Sequence, residues 1–346
     1  DGSQTLDPLS LWAPDVLDLW STKVIACTVD SVLGLMGYWR NAMAALPVWT
    51  DAAFVFDEIH AYDRKLFGVL LSFLETVEAP VLLMTASLSP QRRRAIEEAV
   101  GKGLEPITGE AEIETADRYL IRRVEEDDAR KRVAAALERG EKVLVVANTV
   151  KRACNRFEEW REYAPGGRAW LYHSRFRYQD RVERQDDVIR AFDDDEPALV
   201  VATQVCEMSL DISADLLVTE NAPFSALVQR MGRLNRADRV PEATRECLIV
   251  PPENELPYTE EQLEDATDVI ERLSGKPVSQ RVLAEEIADL DEGEFEPTNL
   301  SFVTDDVQTT SDPIRETSPG MTVVREKDIG AASSMSRRSS SRSSSK

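Results

Sequence analysis

The chain has 346 residues, 42% of them hydrophobic, a length and composition that predict two domains with an ample core. Its 41 basic and 63 acidic residues give a net charge of −22, which excludes a globally basic surface for nucleic acid. No stretch approaches the roughly 20 apolar residues of a membrane span and no signal-like segment opens the chain, so we expect a cytoplasmic protein. Four widely spaced cysteines and only two histidines argue against a zinc site or a histidine-rich metallonuclease centre.

The first part of the chain contains apolar runs typical of parallel strands, and each run ends in polar residues. Runs at 24–27, 52–56 and 81–84 are followed by Thr28, by 57–60 and by 85–87. Helical spacing covers 33–46. Ser89 before Pro90 predicts the N-cap of another helix, which Gly101 ends. Residues 104–120 then connect to a second series of elements.

Two acidic residues follow the run at 52–56. The carboxyl ends of parallel strands are where open α/β sheets bind ligands, and adjacent carboxylates repel each other unless a cation or a proton relieves them. Asp57 is therefore a candidate Mg²⁺ ligand, and Glu58 is a candidate to polarise a water that attacks a phosphate. His60 could report the state of that site to a neighbouring element. The alternative is that the two acids begin a loop or cap the following helix.

A second α/β series begins near residue 127. Helices are predicted at 129–139, 151–163 and 177–192, and strands at 143–146, 169–171, 198–202 and 216–218. Polar residues again follow the strands, at 148–149, 173–175 and 203–204. Beyond 250, helical spacing covers 260–273 and 278–290, and 291–312 is acidic and irregular. This last region is expected to be an accessory cap on the second lobe rather than a site.

Three arginines and a glutamine lie between residues 229 and 236. Gln229, Arg233 and Arg236 are spaced at four and seven, so on a helix they share one face. Guanidinium groups match phosphate oxygens with paired hydrogen bonds. Gly232 costs a helix interior about 1 kcal/mol relative to Ala, which suggests close packing or a close backbone approach there. The alternative is a solvated cationic helix face.

Together these segments resemble the motifs of superfamily 2 helicases. Residues 57–60 resemble motif II, 85–87 motif III with its hydroxyl order reversed, 203–211 motif V and 229–236 motif VI. The wordings D-E-I-H-A-Y-D, H-S-R-F, T-Q-V-x-E-x-S-L-D and Q-R-x-G-R-L-N-R together resemble the CRISPR-associated type I helicase, an effector that unwinds and helps degrade invading DNA. The resemblance covers about residues 20–252.

The resemblance implies an α/β fold of two RecA-like parallel-sheet lobes, of which the first is incomplete. The expected boundaries are 1–108 for the first lobe, 109–252 for the second, 253–330 for an accessory C-terminal region and 331–346 for a tail. That tail is mostly Ser and Arg, cannot build a core and is predicted to be disordered. Its basic charge could touch nucleic acid, but a solvated tail is the simpler interpretation.

The resemblance also implies ATP and Mg²⁺ as cofactors, with Asp57 holding the metal. Its catalytic residues would be Asp57, Glu58, His60, Gln229, Arg233 and Arg236, the last two as arginine fingers. Nucleotide contacts would come from Asp211, Arg230 and Gly232, and coupling from Thr85 and Ser87. The single-strand track would be lined by Thr28, Asn148, Thr149, Ser174, Arg175, Thr203 and Gln204. The implied partners are single-stranded DNA, a CRISPR surveillance complex and a separate nuclease subunit, with no membrane.

The chain departs from the family pattern in three ways. It contains no G-x-x-x-x-G-K-[ST] P-loop, it lacks the family's nuclease domain, and Ser213 stands where the family usually has an acid. Because it also opens at Asp1 rather than Met, we expect a fragment or a split-gene product that binds ATP weakly by itself. Two alternatives stay open, a different DExH helicase and a non-catalytic remnant that only binds nucleic acid or the CRISPR complex.

Overall fold

The structure is a computed structural model that describes residues 23–34, 49, 51–86, 88–237, 240–290 and 293–298, without the side chains of 208 and 209. The chain divides into two compact units. The described residues up to Met84, together with 295–298, belong to the first, and Thr85–Glu294 form the second. Within the described residues, no helix is long and apolar enough to cross a membrane.

The first unit is built on a two-stranded parallel sheet. Its elements are helix α1 (Val29–Leu33), strand β1 (Phe54–Phe56), a 3₁₀ turn (Ile59–Ala61), helix α2 (Arg64–Thr76) and strand β2 (Val81–Leu83). Phe54 pairs with Val81 and Phe56 with Leu83. The strands predicted at 52–56 and 81–84 are therefore confirmed, which places the two acidic residues at the carboxyl end of β1.

The strand predicted at 24–27 is wrong. Residues 24–28 have no regular structure, and the Val24 side chain is 87% exposed. A short apolar run becomes a strand only when a neighbouring strand takes its hydrogen bonds, and none of the described strands pairs with it. Most of the helix predicted at 33–46 lies outside the described residues.

An aromatic cluster forms the core of the first unit. The buried Phe73 ring of α2 lies edge-on to three other rings, with centroid distances of 5.6 Å to Trp49, 4.9 Å to Phe54 and 5.3 Å to Phe56. Edge-to-face packing of this kind adds to the free energy gained from burial alone. The cluster therefore ties β1, and the acidic residues that follow it, to α2.

A late segment of the chain packs on α2. The Phe295 ring lies 4.9 Å from the Phe67 ring, the Thr298 amide donates to the Gly68 carbonyl at 3.0 Å, and the Ser72 hydroxyl donates to the Thr298 carbonyl at 2.6 Å. A Cβ added at Gly68 would lie 2.3 Å from Thr298 Oγ1. Glycine at position 68 is thus what allows 295–298 to lie so close to the helix.

The second unit contains a seven-stranded sheet with helices on both faces. Its strands are β3 (Tyr119–Arg123), β4 (Lys142–Val146), β5 (Ala169–Tyr172), β6 (Ala198–Ala202), β7 (Leu216–Glu220), β8 (Arg245–Val250) and β9 (Pro277–Val278). Its helices are α3 (Pro90–Val100), α4 (Ala111–Thr115), α5 (Glu126–Glu138), α6 (Val150–Trp160), α7 (Tyr178–Asp193), α8 (Val205–Ser209), α9 (Phe224–Met231), α10 (Glu260–Leu273) and α11 (Gln280–Ala288).

The strand order is β5-β6-β4-β7-β8-β3-β9, and every pairing is parallel except that of β3 with β9. All five residues of β6 and all five of β7 are buried. In β4, Leu144 and Val146 join the core under α7, α9 and α10, whereas Val143 and Val145 join the core under α5 and α6. Strands buried on both faces in this way are typical of a parallel sheet covered by helices on each side.

The region after β8 packs onto this second unit. The predicted helix 260–273 is confirmed as α10, which begins at a capping box formed by Thr259 and Gln262. Ala266 and Val269 of α10 are buried in the core, and β9 extends the sheet beside β3. The tail at 331–346, like all residues after 298, lies outside the described residues.

Replacing Phe73 with Ala is expected to lower the free energy of unfolding by about 3–5 kcal/mol, because the cavity would open beneath three packed rings. Urea denaturation followed by circular dichroism measures it. The matched control is Val55→Thr on β1, where the side chain is 61% exposed and the expected change is within about 0.5 kcal/mol. Equal losses in the two variants would contradict the assignment of this core.

Candidate functional site

The carboxylates after β1 are accessible and locally braced. Asp57 is exposed, and its Oδ1 atom accepts a hydrogen bond from the Glu58 amide at 2.9 Å. Glu58 adopts left-handed backbone geometry, with φ of 52°, and its Oε2 atom lies 3.3 Å from Nδ1 of His60. A non-glycine residue at positive φ is uncommon and is enriched at functional sites. The two acidic side chains are therefore held at the strand end by contacts within the turn.

The donor set fits Mg²⁺ only with further ligands. The described residues contain no cluster of three or more His, Cys, Asp or Glu side chains that could enclose a metal ion. Mg²⁺ keeps several waters and is usually bound through one or two carboxylates plus substrate phosphates. The hydrogen bond that Asp57 accepts from Glu58 uses Oδ1 and leaves Oδ2 for an aquated ion.

In the second unit, neighbouring strands place their carboxyl ends at one edge of the sheet. β4 leads to Asn148 and Thr149, β5 to Ser174 and Arg175, and β6 to Thr203 and Gln204. The Gln204 side chain donates to the Asn148 carbonyl at 2.7 Å, and the Thr203 amide donates to the Tyr172 carbonyl at 3.2 Å. The fold thus gathers six of the seven predicted nucleic-acid residues, whereas Thr28 belongs to the first unit, where it is exposed before α1.

These six residues differ in what they can touch. Ser174 and Arg175 are exposed, and Thr149 and Gln204 are half-buried. Asn148 and Thr203 are only 2% and 3% exposed. The Asn148 side chain donates from Nδ2 to the Asn221 carbonyl at 2.8 Å. The Thr149 hydroxyl accepts from the backbone amide of Arg152 and so caps the N-terminus of α6. Asn148 and Thr203 therefore shape the edge, while the side chains of the other four residues are open to solvent at least in part.

The sequence reasoning missed Glu220, the last residue of β7. Its side chain is fully buried and accepts hydrogen bonds from the Asn148 amide at 2.6 Å and from Arg152 Nε at 2.9 Å. Nη1 of Arg156 lies 2.8 Å from its other oxygen. The available signal was an acid just after the apolar run 216–218, a pattern like the one that singled out Asp57. Glu220 fixes the loop that carries Asn148 to the end of β7.

The residues 229–236 do not form one helix, so the prediction of a shared helix face is wrong. Helix α9 ends at Met231, and Gly232 follows it as the C-cap. Gln229 therefore lies on the helix, whereas Arg233 and Arg236 lie beyond it. A Cβ at Gly232 would be 3.1 Å from the Gln229 carbonyl oxygen, which belongs to the backbone of the last turn of α9. The chain turns after Gly232 because Ala214 pairs with Leu234 in an isolated bridge.

Arg230 is buried at 0% exposure and its donors are already engaged within the fold. Nε donates to Glu207 Oε1 at 2.9 Å, Nη1 donates to Thr219 Oγ1 at 2.8 Å and to the Glu220 carbonyl at 3.1 Å, and Nη2 donates to the Tyr258 hydroxyl at 3.3 Å. Burial raises the pKa of Glu207, and the charge of Arg230 opposes that shift. Arg230 thus ties α8 to α9, and the expected nucleotide contact is wrong for this residue, because its guanidinium is buried and bonded within the fold.

Arg233 and Arg236 have different surroundings. Arg233 donates from Nε to the Cys206 carbonyl at 3.1 Å and also to the Glu207 carbonyl, so it braces α8. Arg236 is half-exposed, and its Nε lies 3.2 Å from Oδ1 of the exposed Asp211. The Ser213 hydroxyl accepts from the Arg236 amide at 2.9 Å and from the Ala237 amide at 3.0 Å. Ser213, a departure from the family pattern, therefore still supports the segment that carries Arg236.

The candidate coupling residues follow β2. Thr85 is half-buried and begins the second unit, directly after Met84, whose amide donates to the Phe56 carbonyl at 2.8 Å. Ser87 lies outside the described residues.

The chain is similar in sequence to a known family of proteins. Residues 139–239 match the sequence family described as the C-terminal part of the CRISPR-associated nuclease/helicase Cas3. A Cas3 nuclease/helicase of Myxococcus xanthus is 42% identical over 326 residues, which cover 92% of this chain and 43% of that protein. The Cas3 endonuclease/helicase of Thermus thermophilus is 32% identical, over 61% of this chain and 30% of that protein. The chain thus spans less than half the length of these relatives.

Solved structures agree at the level of the fold. A crystal structure of T. fusca Cas3 superposes with a TM-score of 0.62 at 21% identity, covering 76% of this chain and 37% of that one. A CRISPR RNA-guided surveillance complex in a pre-nicking state contains a chain that also superposes with a TM-score of 0.62, over 79% of this chain and 42% of its own. The predicted α/β fold with RecA-like parallel sheets is confirmed, and the chain belongs to the Cas3 family of CRISPR-associated helicases.

Proposed function

We propose that this chain supplies the helicase part of a Cas3 effector, which moves along single-stranded DNA at the expense of ATP. The observation that carries the proposal is the edge of the second sheet, where β4, β5 and β6 place Thr149, Ser174, Arg175 and Gln204 side by side. Hydroxyls, an amide and a guanidinium are the groups that meet a nucleic-acid backbone. The match to Cas3 relatives supports the same assignment.

In this proposal the first unit provides the nucleotide chemistry. Asp57 would hold Mg²⁺ through water, Glu58 would orient and deprotonate the attacking water, and His60 would sense the state of Glu58 through their 3.3 Å contact. When bound, the ion would neutralise charge on the phosphates. T. fusca Cas3 has been solved with ATP, ADP and AMPPNP, which supports ATP as the nucleotide.

Helix α9 and the segment after it would also contribute residues to nucleotide hydrolysis. Arg236, with Asp211 beside it, has the exposure that an arginine finger requires, and Gln229 would be a further catalytic residue on α9. Arg233 already donates to two carbonyls, so its proposed role requires that these bonds exchange for phosphate oxygens. Gly232 would let the backbone approach the nucleotide. Thr85 and Ser87 would couple ATP hydrolysis to movement along the DNA.

The proposed partners are single-stranded DNA and a CRISPR surveillance complex, the latter because one structural neighbour is part of such an assembly. A nuclease would act as a separate subunit, and the complex would work in the cytoplasm. One observation favours a second function, binding of nucleic acid without hydrolysis: the 346 residues contain no P-loop lysine to grip the β- and γ-phosphates.

The deciding experiment measures DNA-stimulated ATP hydrolysis by this chain with and without a P-loop-bearing partner polypeptide. Stimulation that needs both the partner and DNA supports the motor. Single-stranded DNA binding without hydrolysis in either mixture supports the second function. Absence of DNA binding in both mixtures overturns the two proposals.

By itself the chain is expected to bind Mg²⁺-ATP with a dissociation constant of about 1 mM or weaker, because no P-loop holds the phosphates. Isothermal titration calorimetry measures this.

In the mixture that hydrolyses ATP, Glu58→Gln should lower the rate by roughly 10²–10⁴-fold, since it removes the proton acceptor, and should leave DNA binding unchanged. Tight binding by the isolated chain, or full activity of the glutamine variant, would contradict these assignments.

Arg230→Met is expected to cost about 3–5 kcal/mol of unfolding free energy, because it leaves the Glu207 carboxylate buried without its cation. The raised pKa of Glu207 means that its contribution to stability is present below its unfolded pKa of about 4.3 and is lost as pH rises through the folded value. Without Arg230, the stability lost on ionising Glu207 becomes larger. The difference in unfolding free energy between the unmodified chain and Arg230→Met should therefore be smaller at pH 5 than at pH 8. Urea denaturation at both pH values tests this.

The matched control is Arg236→Met, which removes a half-exposed guanidinium paired with an exposed carboxylate. It should change stability by at most about 1 kcal/mol at either pH. Similar losses in the two variants would show that Arg230 is not the structural residue described above.

A further inference from the structure

An unusual group of arginines and aromatic rings lies at the carboxyl end of β5. Four arginines occur between residues 175 and 184, against two acids, in a chain of net charge −22. Arg177 is paired with Asp180 at 3.0 Å. Within the described part of the chain, the other three, Arg175, Arg181 and Arg184, form no ion pair.

Exposed arginines without an ion pair are uncommon among the described residues of the second unit. Most exposed arginines of the second unit are matched to nearby acids, as Arg130 is to Asp127, Arg161 to Glu158 and Arg190 to Asp187. Unpaired guanidiniums retain their affinity for an external anion, because no internal carboxylate competes for their donors. Three unmatched positive charges are therefore concentrated at one place on a strongly acidic molecule.

Aromatic rings accompany these charges. The Phe176 ring is parallel to the buried His173 ring with centroids 4.1 Å apart, and Cζ of Arg184 lies 4.2 Å from the Phe176 centroid. The guanidinium of Arg184 is thereby held against a supported ring. Tyr178 is 63% exposed, with Cζ of Arg181 5.8 Å from its ring centroid. An exposed ring beside a cation offers both a stacking face and a positive charge.

We propose that Arg175, Tyr178, Arg181 and Arg184 form a base-stacking site for single-stranded nucleic acid. We call this set the arginine–aromatic patch. Tyr178 stacks on one base, the three arginines take the adjoining phosphates, and His173 with Phe176 positions Arg184. The inference deepens the proposed function, on which it rests, because it extends the strand's path beyond Arg175 onto the first turns of α7.

Single-stranded nucleic acid fits this patch better than an acidic peptide does. A carboxylate-rich peptide would satisfy the guanidiniums but has no planar group for the Tyr178 face. Every base has a π-face, and aromatic stacking together with arginine is how sequence-independent sites hold single strands. The patch also borders β6, which delivers Gln204 to the same edge of the sheet.

The test measures fluorescence anisotropy of a labelled oligothymidylate with the full chain and its variants. Tyr178→Ala should weaken binding roughly five- to a hundred-fold, and Tyr178→Phe should bind like the unmodified chain, because the ring rather than the hydroxyl is used. Arg181→Ala should weaken binding and reduce the salt dependence by about 0.7 in log–log slope, the value for one lost phosphate contact on a single strand.

The matched control is Arg190→Ala on the same helix, where the guanidinium is paired with Asp187 and binding should not change. A second control uses an abasic oligonucleotide of equal length, which offers phosphates but no bases to stack. It should bind the unmodified chain more weakly than oligothymidylate does, and Tyr178→Ala should not weaken its binding further. Circular dichroism checks that every variant is folded.

The outcomes separate the inference from the proposed function. Oligothymidylate binding that is insensitive to both Tyr178→Ala and Arg181→Ala overturns the patch and leaves the proposed function standing. Binding that depends on Arg181 but not on the Tyr178 ring, with equal affinity for the abasic strand, overturns the stacking site in favour of a simple anion surface. No binding of any single strand overturns both proposals.

Discussion

The buried carboxylate of Glu220 is the constraint on which the candidate edge of the second unit depends. An ionised group without contact with water is tolerated only when cations and hydrogen-bond donors surround it, and here Arg152, Arg156 and the Asn148 amide do so. These partners come from the loop after β4 and from α6. The charge of one residue therefore sets where that loop leaves the sheet, and with it the positions of Thr149 and of Gln204, which bonds to the Asn148 carbonyl.

Arg230 is a second buried charge that is paired with an opposite charge, and it lies next to Glu220. Its guanidinium neutralises Glu207 and also donates to the Glu220 carbonyl, so the ends of β7 and α9 and the short helix α8 form one connected polar network. A buried guanidinium needs partners within the fold for its donors, and each of the three nitrogens of Arg230 has one. This explains why an arginine inside a motif that resembles a phosphate-binding sequence has a structural role, while Arg236, outside the helix, stays accessible.

A net charge of −22 and a nucleic-acid partner are compatible because the positive charge is local. Across the second unit, exposed arginines are largely cancelled by neighbouring acids. At the start of α7 they are not, and aromatic rings lie beside them. Repulsion from the rest of an acidic surface weakens non-specific binding. The field of each charge falls off over about a Debye length, roughly 8–10 Å at moderate salt, so a short cationic segment keeps its own positive field. In the proposed function, single-stranded nucleic acid would therefore bind at that segment and not elsewhere on the surface.

The sequence alone determined the strands that end in polar residues, the helices with clear apolar periodicity and the family, because each of these follows from local spacing and from the order of short motifs. It failed at 24–27, where an apolar run has no described strand to pair with, and at 229–236, where a bridge between Ala214 and Leu234 ends the helix early. It could not tell Arg230 from Arg236, nor find Glu220. Whether a charged side chain is buried against a partner or exposed to a ligand depends on residues distant in the chain, so only the tertiary structure decided it.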